Sequence, residues 1–556
     1  MINRISSWAR REGPFIFWMV AFNLTYIENF RVDNHGSHII AATLFYGLSK
    51  VFSPVILLDI LILCLFGRWE RLCRAVKWFF LSVNACLFVV DLFAIYHYGI
   101  PMDRAMLEIA LTTNLREGSE FLSMYLLNWR LWAFLFAIIL SLILLRFLLS
   151  KVSMQRRGLP LLLLAGVLLF THSAANTSFR KDNPQKAIAV FRLISILSGI
   201  HKDLVSFREM ESGIPPKVIL TRNEADIPDV VFILGESTDR NRMALYGYSL
   251  PTTPRLLERS REGGLYTFQD VISPHSHTML VMEKLFTFYR YGDEGRWFDY
   301  PNLFSILRAA GYRTVWLSNQ ESAILGVVGK FFAGQCDENR FTLIRDHGDD
   351  GMVYDGALLP LLDEALASSS KKNFYVLHLM GTHMGYRMRY PKEFTQFSSA
   401  DEGGFEGITE AQKQVRAEYD NAVLYNDFIV DEIIRRFEKR DAIIIYISDH
   451  GEEVYEERDF FGHEEALGSY HMIEIPMLVW MSPGLRRACP DLELRIAANI
   501  DRPFMTDDMI HVLLDIMRIE TKDYHPERSV IHPDFNVTRP RIYSGRTYEK
   551  RSRLED

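Results

Sequence analysis

The stretch from Ile443 to Glu453 reads I-I-I-Y-I-S-D-H-G-E-E and decides the fold class of the chain. Its β-branched run is typical of a buried strand, and the run stops at Asp449 and His450. A strand that ends in a carboxylate and an imidazole brings two metal-ligand groups to one edge of a sheet. The stretch therefore predicts a metal site at that edge, provided that other segments supply further ligands.

Three more apolar runs end in polar residues in the same way: Val230 to Leu234, Tyr312 to Leu317 and Phe374 to Leu379. From Val218 onward these runs alternate with helical segments, which predicts an α/β domain with a central, mostly parallel sheet. The ligand crevice of such a sheet lies outside the carboxyl ends of its strands. The polar side chains expected to converge there are Glu236, Asn319, His383, Asp449 and His450.

A hydroxyl is the remaining group that such a site needs. One imidazole and two carboxylates from the strand ends supply three ligands for a divalent ion, and catalytic zinc commonly keeps a fourth position for a reacting group. A metal lowers the pKa of a hydroxyl and so activates it as a nucleophile. The segment S-P-H-S-H-T offers Ser273, Ser276 and Thr278, and spacing alone does not choose among them.

The first third of the chain has the composition of a membrane domain. Hydrophobic residues make up 49% of the 556 residues, and here they form long uncharged runs. A bilayer span takes about 20 apolar residues. Basic residues flank the runs so that everything after Thr171 is expected outside the cytoplasm. The five predicted spans are Pro14 to Phe30, Ile40 to Phe66, Trp78 to Tyr98, Leu131 to Leu149 and Leu159 to Thr171.

These patterns predict three parts of the chain. Residues 1–172 are a transmembrane α-helical domain, 173–217 a linker, and 218–556 an outer catalytic domain. Within the linker, Ala187 to Leu204 is either an amphipathic helix in the membrane interface or an ordinary packed helix. The formal net charge of -7 gives no concentrated basic face, which excludes nucleic acid as a partner.

Four motifs along the chain occur together in one known family. They are G-E-S-T-D-R-N-R-M-A-L-Y-G-Y-S-L-P-T-T-P from Gly235, S-P-H-S-H-T from Ser273, H-L-M-G-T-H-M-G-Y from His378 and S-D-H-G-E-E from Ser448. In combination they resemble the bacterial phosphoethanolamine transferases. The resemblance implies a multi-pass protein of the bacterial inner membrane, with five transmembrane helices and a periplasmic catalytic domain of the alkaline phosphatase and sulfatase superfamily.

The resemblance also implies roles for the candidate site residues. Thr278 matches the family's nucleophilic threonine, and His463 matches its last histidine, with His471 as a rival. The segment T-N-L-R-E from Thr113 resembles an element that shapes the lipid-side substrate site, although a solvated loop is an equal alternative. The implied zinc ligands are Glu236, Thr278, Asp449 and His450, and the implied substrate-binding residues are Asn319, His383, His463, His471, Asn114 and Glu117.

The implied reaction is a two-step phosphoryl transfer. Thr278 attacks the phosphorus of phosphatidylethanolamine, releases diacylglycerol and keeps the phosphoethanolamine group as an ester, which an acceptor then takes. Positive charge from the metal and from protonated His383 or His463 is expected to stabilise the phosphoryl oxygens. The nucleophile segment contains no cysteine, and the motifs are closest to the members that modify the lipopolysaccharide core heptose. That acceptor is therefore favoured over lipid A and periplasmic glucans.

Other functions fit the sequence less well. A sulfatase needs C-x-P-x-R, and neither Cys336 nor Cys489 begins that motif. A phosphoglycerol transferase of the lipoteichoic acid synthase type shares the helices, the sheet and the threonine, but G-E-S-T and G-T-H-M-G-Y argue against it. A binding protein with a decayed site would not be expected to keep every ligand. The sequence leaves open whether Cys336 and Cys489 pair in the periplasm.

Overall fold

The computed structural model describes residues 2–25, 37–98, 101–102, 106–107, 129–151, 189–212, 218–321, 326–343 and 353–549. The chain forms two compact units, Met1–Glu211 and Ser212–Asp556, which we call the helical unit and the α/β unit. The described α-helices of the first are α1 Ile2–Ala21, α2 Ser37–Phe66, α3 Glu70–Tyr98, α4 Trp129–Lys151 and α5 Ala189–Ser212, the last of which ends at the unit boundary.

Two of these helices have the length and composition of membrane spans. They are α3 over Glu70–His97 and α4 over Trp129–Ser150, and a shorter apolar helix covers Pro54–Phe66. The predicted span from Leu159 to Thr171 lies outside the described residues, as does the end of the span from Pro14 to Phe30. The helices are consistent with a membrane domain, and the number of five spans stays a prediction.

Buried ion pairs join the helices of the first unit. The guanidinium of Arg192 in α5 donates to both carboxylate oxygens of Asp91 in α3, at 2.5 and 2.6 Å. In the same unit, Lys77 of α3 donates to Glu12 of α1 and to Asp59 of α2. All five side chains are buried, and removing one partner of such a pair leaves a costly uncompensated charge. In this structure, the beginning of α5 is thus packed against α3.

The α/β unit is built on a seven-stranded sheet with the order β3-β11-β8-β2-β7-β5-β6. Its strands are β2 Asp229–Gly235, β3 Leu265–Phe268, β5 Arg313–Glu321, β6 Glu338–Leu343, β7 Asn373–His378, β8 Ala442–Ser448 and β11 Met477–Met481. Short two-stranded sheets are formed by β1 Leu220–Asn223, β4 Val271–Ile272, β9 Glu453–Val454, β10 Phe461–Gly462, β12 Phe504–Met505, β13 Ile519–Thr521, β14 Ile542–Tyr543 and β15 Arg546–Thr547.

The prediction of a central, mostly parallel sheet is confirmed with one refinement. Strands β6, β5, β7, β2 and β8 pair in parallel, whereas β11 pairs antiparallel with both β8 and β3. The sheet is therefore mixed, with β11 running against the other six strands. Strands β2, β7 and β8 are buried along their whole length, which is why they read as continuous apolar runs.

Helices flank this sheet: α6 Pro254–Glu262, α7 Thr278–Leu285, α8 Leu303–Ala309, α9 Gly326–Gln335, α10 Leu358–Ala367, α11 Glu410–Phe437, α12 Pro483–Ala488, α13 Pro490–Ala497 and α14 Met509–Met517. The longest, α11, begins with a capping box between Thr409 and Gln412. Its apolar face enters the main core through Val423, Val430 and Ile434. Packing of this face covers the sheet and leaves the strand ends available for the site.

The two cysteines of the α/β unit are free thiols. Cys336 is buried at the end of α9, and Cys489 lies between α12 and α13. Burial raises the pKa of both thiols. In the described part of this unit, stability therefore comes from core packing and polar contacts without a disulfide.

Candidate active site

The register of β2 and β8 brings the principal site residues together. These strands pair in parallel with Gly235 opposite Ser448, so that Glu236 and Asp449 leave the sheet side by side. His450 follows, with Nε2 at 3.3 Å from Glu236 Oε1 and 3.5 Å from Asp449 Oδ2. All three side chains are buried. They form a group whose ligand atoms all lie within 4.8 Å of one another and could hold a metal ion.

One of the three candidate hydroxyls reaches this group. Thr278 is the first residue of α7, and its Oγ1 donates a hydrogen bond of 3.1 Å to Glu236 Oε2. The hydroxyl of Ser273 donates instead to the carbonyl of His275 at 2.7 Å. The Ser276 oxygen is buried near Tyr543, and it makes no hydrogen bond to the metal group in the described residues. The fold thus separates Thr278 from its two serine neighbours.

The electrostatics of the group favour a cation. Burial and the nearby Glu236 carboxylate raise the pKa of Asp449 to about 7. Burial opposes the charged form of His450, but the carboxylates of Asp449 and Glu236 raise its pKa to about 10. Asp449 Oδ2 and His450 Nε2 are buried without a hydrogen-bond partner in the described part of the chain. Two carboxylates, an imidazole and a hydroxyl are a donor set that zinc accepts, so the residues present fit this ion.

Polar contacts around these side chains fix their orientation. His450 Nδ1 donates to the carbonyl of Gly451 at 2.8 Å, which leaves Nε2 for the site. Asp449 Oδ1 accepts from the backbone amides of Ser237 and His450, at 3.1 and 2.7 Å. Ser237 Oγ donates to Glu236 Oε1 at 2.9 Å. Hydrogen bonds to the backbone and to the Ser237 hydroxyl therefore hold the ligand side chains in place.

Close backbone approach is required at one glycine of the site. A Cβ atom on Gly451 would lie 2.1 Å from the carbonyl oxygen of His471. No real side chain tolerates that distance, and the atom in the way belongs to the backbone. Glycine after His450 therefore allows the following loop to pack against the segment around His471.

His463, one of the three candidate histidines, lies against His450 of the metal group. Its ring centroid is 4.2 Å from that of His450, and its Nδ1 is 2.6 Å from Glu452 Oε2. Burial and the charge of His450 hold the pKa of His463 well below its usual range. These surroundings disfavour the charged form of His463, and the expected positive charge on His383 or His463 stays a prediction.

The other two histidines have different surroundings. His383 is half-buried, and its Nδ1 is shielded from solvent without a hydrogen-bond partner in the described residues. Burial opposes the charged form of Glu236, but His450 and, to a smaller extent, His383 hold the pKa of that carboxyl well below its usual range. His471 instead pairs with the buried carboxylate of Asp239, at 2.7 Å from Nδ1 to Oδ2. This contact favours a structural role for His471, as the partner of Asp239 in an ion pair.

Asn319 is directed into the scaffold, and its neighbour reaches the site. The Asn319 amide donates to Asp355 Oδ1 at 2.8 Å, and its oxygen accepts from Thr342. Gln320 Nε2 donates to Glu236 Oε2 at 3.2 Å. Alternation along β5 explains the difference, because successive side chains point to opposite faces. Asn114 and Glu117 lie outside the described residues.

Sequence reasoning missed a buried acid and its tyrosine partner. Glu452 is fully buried, and the hydroxyl of Tyr386 donates to its Oε1 at 2.7 Å while Oε2 faces His463. Glu452 lies in the motif S-D-H-G-E-E and Tyr386 in G-T-H-M-G-Y, so these motifs could have indicated both residues. His450, Glu452 and His463 form a second group that could hold a metal ion. It shares His450 with the first group, and Nδ1 of that ring is already bound to Gly451.

Two family models match this chain. A sulfatase model covers residues 228–519, which is more than half of the 556 residues. The chain belongs to the sulfatase family. A model described as phosphoethanolamine transferase EptA/EptB matches residues 55–184. Together with the relatives below, it makes the chain a member of the phosphoethanolamine transferases, so the family prediction is confirmed.

Curated and solved relatives agree with this membership. The phosphoethanolamine transferase EptC of Escherichia coli O18:K1:H7 is 27% identical over 491 residues, covering 82% of each chain. The crystal structure of the C-terminal periplasmic domain of Escherichia coli EptC in complex with Zn is 28% identical, with a TM-score of 0.54 over 59% of this chain and 93% of that one.

The structure of an integral membrane protein is similar to this chain over most of its length. The integral membrane protein lipooligosaccharide phosphoethanolamine transferase A of Neisseria meningitidis aligns with 93% of this chain and 98% of its own, at a TM-score of 0.63 and 21% identity. The two proteins therefore share a fold over most of their length. Zinc in the Escherichia coli domain agrees with the predicted cofactor.

Proposed function

We propose that this chain transfers phosphoethanolamine from phosphatidylethanolamine to a cell-envelope acceptor through a covalent ester on Thr278. The observation that carries the proposal is the hydrogen bond from Thr278 Oγ1 to Glu236 Oε2, beside the buried Asp449 and His450. A hydroxyl next to a metal-ligand group can be activated by the bound metal, so this position suits a nucleophile. Family membership supports the group that is transferred.

The proposed zinc ligands are Glu236, Thr278, Asp449 and His450. When bound, zinc supplies positive charge that lowers the pKa of the attacking hydroxyl and stabilises the phosphoryl oxygens. We propose a single ion, because both metal-ligand groups need Nε2 of the same His450 ring. Glu452 and His463 are then free for work other than metal binding.

In the first step, Thr278 Oγ1 forms a bond to phosphorus while the bond from phosphorus to the glycerol oxygen breaks. The threonine proton leaves through the hydrogen bond to Glu236 or to solvent, and the departing diacylglycerol oxygen gains a proton. In the second step, an acceptor hydroxyl loses its proton and forms the new bond to phosphorus, and Thr278 is regenerated. Positioning and charge stabilisation supply most of the rate in such transfers.

Neighbouring side chains hold the transferred group in this proposal. His383 and neutral His463 provide hydrogen-bonding nitrogens, and the Gln320 amide takes the substrate-facing role that the family resemblance implied for Asn319. The burial of Glu236, Asp449 and His450 strengthens each of these electrostatic contacts, because little water screens them. Asn114 and Glu117 remain candidates for the lipid-side contact.

We favour the heptose of the lipopolysaccharide core as the acceptor. We also propose that the chain is a bacterial inner-membrane protein with its α/β unit in the periplasm. The support is the motif similarity of the nucleophile segment, which lacks cysteine. The alternative acceptors are lipid A and periplasmic glucans. The alternative reaction is phosphoglycerol transfer, which uses a donor with a different headgroup. Incubation of the full chain with each purified acceptor and labelled phosphatidylethanolamine distinguishes them by which acceptor becomes labelled.

The covalent step is tested by mass spectrometry of the peptide that bears Thr278 after incubation with phosphatidylethanolamine. We expect a phosphoethanolamine adduct on Thr278, and none in Thr278→Ala. The control is Ser273→Ala, which removes a hydroxyl of the same segment that contacts only a backbone carbonyl. An adduct on Ser276, or donor consumption without any adduct, would show that the proposed nucleophile is wrong.

Metal dependence is tested on the same preparation. Elemental analysis is expected to find one zinc per chain, and chelation is expected to abolish both the adduct and transfer. Added zinc restores them. Asp449→Asn should lose zinc and activity together, since it removes one negatively charged ligand from the group. Full activity in the chelated protein would contradict the zinc assignment.

A further inference from the structure

The last described segment of the chain folds back against the strand that precedes the nucleophile. We call residues 541–548 the C-terminal hairpin: β14 and β15 pair antiparallel, with Tyr543 opposite Arg546. Both turn residues, Ser544 and Gly545, have positive φ, as a tight two-residue hairpin turn requires. The hairpin lies beyond residues 228–519, the part matched by the sulfatase family model.

The first contact of the hairpin is a two-pronged ion pair. Arg541 Nη1 is 2.7 Å from Asp270 Oδ1, and Nη2 is 3.0 Å from Asp270 Oδ2. Nη1 also donates to the Asp270 carbonyl at 3.2 Å. Both side chains are buried, and parallel contacts of this kind fix orientation as well as distance. Asp270 directly precedes β4, which leads into the nucleophile segment 273–278.

The second contact closes the other end of the hairpin. The Tyr548 hydroxyl donates to Glu474 Oε1 at 2.5 Å, and Tyr548 N donates to the Arg541 carbonyl at 2.7 Å. Glu474 in turn pairs through its backbone with Ile272 of β4. Arg240 completes the contact, because its Nη1 donates to the Val271 carbonyl at 3.0 Å. The hairpin therefore holds β4 from both of its own ends.

The third contact reaches the nucleophile segment itself. The Tyr543 ring is buried in a cluster with Ile272, Ile473 and Met505. Its hydroxyl lies near that of Ser276, two residues before Thr278, and both buried oxygens are without a hydrogen-bond partner in the described residues. The hairpin thus meets the segment close to the attacking hydroxyl.

We infer that the C-terminal hairpin is a positioning element for the nucleophile. It holds β4 and Ser276 so that α7 begins with Thr278 directed at Glu236. Thr278 sits at the first residue of a short helix, so a small shift of β4 changes the distance from its Oγ1 to the metal group. This inference rests on the proposed role of Thr278.

The test uses the full-length protein and Tyr543→Phe, which keeps the buried ring and removes the hydroxyl that faces Ser276. We expect kcat for phosphoethanolamine transfer to fall about fivefold, with KM, zinc content and Tm unchanged, since small misplacements act on the chemical step. Thr547→Ala is the matched control, because Thr547 is exposed on the same hairpin. A change in kcat without a change in Tm is a result that a merely structural role would not give.

Two truncations extend the test. Ending the chain after Glu549 removes only residues beyond the hairpin and should leave kcat unchanged. Ending it after Pro540 removes the hairpin and should slow formation of the Thr278 adduct by more than 30-fold. Arg541→Gln is the milder variant, and Arg541→Lys, which keeps the charge, should recover part of the rate.

The outcomes separate the two proposals. If Thr278→Ala still transfers phosphoethanolamine, the proposed function fails whatever the hairpin variants do. If Thr278→Ala is inactive while Tyr543→Phe and Arg541→Gln keep wild-type kcat, the positioning role is wrong. Loss of Tm and zinc in step with kcat in both variants would also overturn it, because the hairpin would then only support folding.

Discussion

The pair between Glu452 and His463 gives the sharpest test of the site. We predict that Glu452→Gln lowers kcat by about 10- to 100-fold, with KM and zinc content unchanged. The Tyr386 hydroxyl donates to Oε1 of Glu452, so the substituted amide will turn its oxygen toward Tyr386 and its NH₂ toward His463. His463 Nδ1 then can only accept, so the one proton of the neutral ring moves to Nε2.

The size of the effect follows from the contact that is lost. The Oε2 to Nδ1 distance is 2.6 Å, and Glu452 is fully buried. A hydrogen bond to a charged group contributes about 1.5–3 kcal/mol, and each 1.36 kcal/mol of activation free energy is about tenfold in rate. Burial raises the pKa of Glu452 to about 7, against the lowering effects of the His450 charge and of the hydrogen bond from Tyr386. The loss of this contact and the change of tautomer act on the chemical step.

The assay is steady-state transfer of labelled phosphoethanolamine, with zinc measured on the same samples. Tyr386→Phe removes the hydrogen bond from the tyrosine but keeps the contact between Glu452 and His463, so its kcat should fall only about two- to tenfold. Glu453→Gln is the control, because this buried neighbour contacts Arg458 and not His463. A wild-type kcat for Glu452→Gln refutes the reasoning. Loss of zinc in that variant refutes it as well, because Glu452 would then be a metal ligand.

Two further predictions concern the loop that packs behind the metal group. The carboxylate of Asp239 raises the pKa of His471 to about 9 against the opposing effect of burial, so the pair stabilises the protein fully below pH 6.5 and loses its effect as pH rises through 9. Between pH 7 and 10, thermal unfolding should therefore show a steeper loss of Tm in the wild type than in His471→Phe. Gly451→Ala should lower the free energy of unfolding by about 3 kcal/mol or more, because its Cβ would lie 2.1 Å from the His471 carbonyl oxygen. Gly403→Ala, with open space around its Cβ, should change it by less than about 1 kcal/mol, and equal effects of the two substitutions in denaturant titrations would contradict the clash.

Much of the α/β unit could be predicted from local sequence pattern. Strands β2, β7 and β8 are buried on both faces, so their β-branched runs appear without any polar alternation. Each run stops at a polar group, which marks the carboxyl edge of the sheet. The reversed strand β11 was not predicted, because Met477–Met481 is as apolar as its parallel neighbours and strand direction leaves no trace in composition.

The finer site contacts could not be predicted in this way. Alternation along β5 sends Asn319 into the scaffold and Gln320 toward Glu236, and a shift of one residue in a predicted strand reverses that result. The Tyr386 and Glu452 pair joins segments 66 residues apart, so no spacing rule connects them. The protonation state of His463 depends on burial and on His450, which only neighbouring atoms determine.

The sequence by itself determined the class of fold, the edge of the sheet that carries the chemistry and the residue types of the metal group. These follow from hydrophobic periodicity and from the chemistry of single side chains, which are local properties. Only the tertiary structure decided that Thr278 and not Ser276 faces Glu236, and that the C-terminal hairpin holds β4. Such choices depend on distances between segments far apart in the chain, and packing of the whole unit sets those distances.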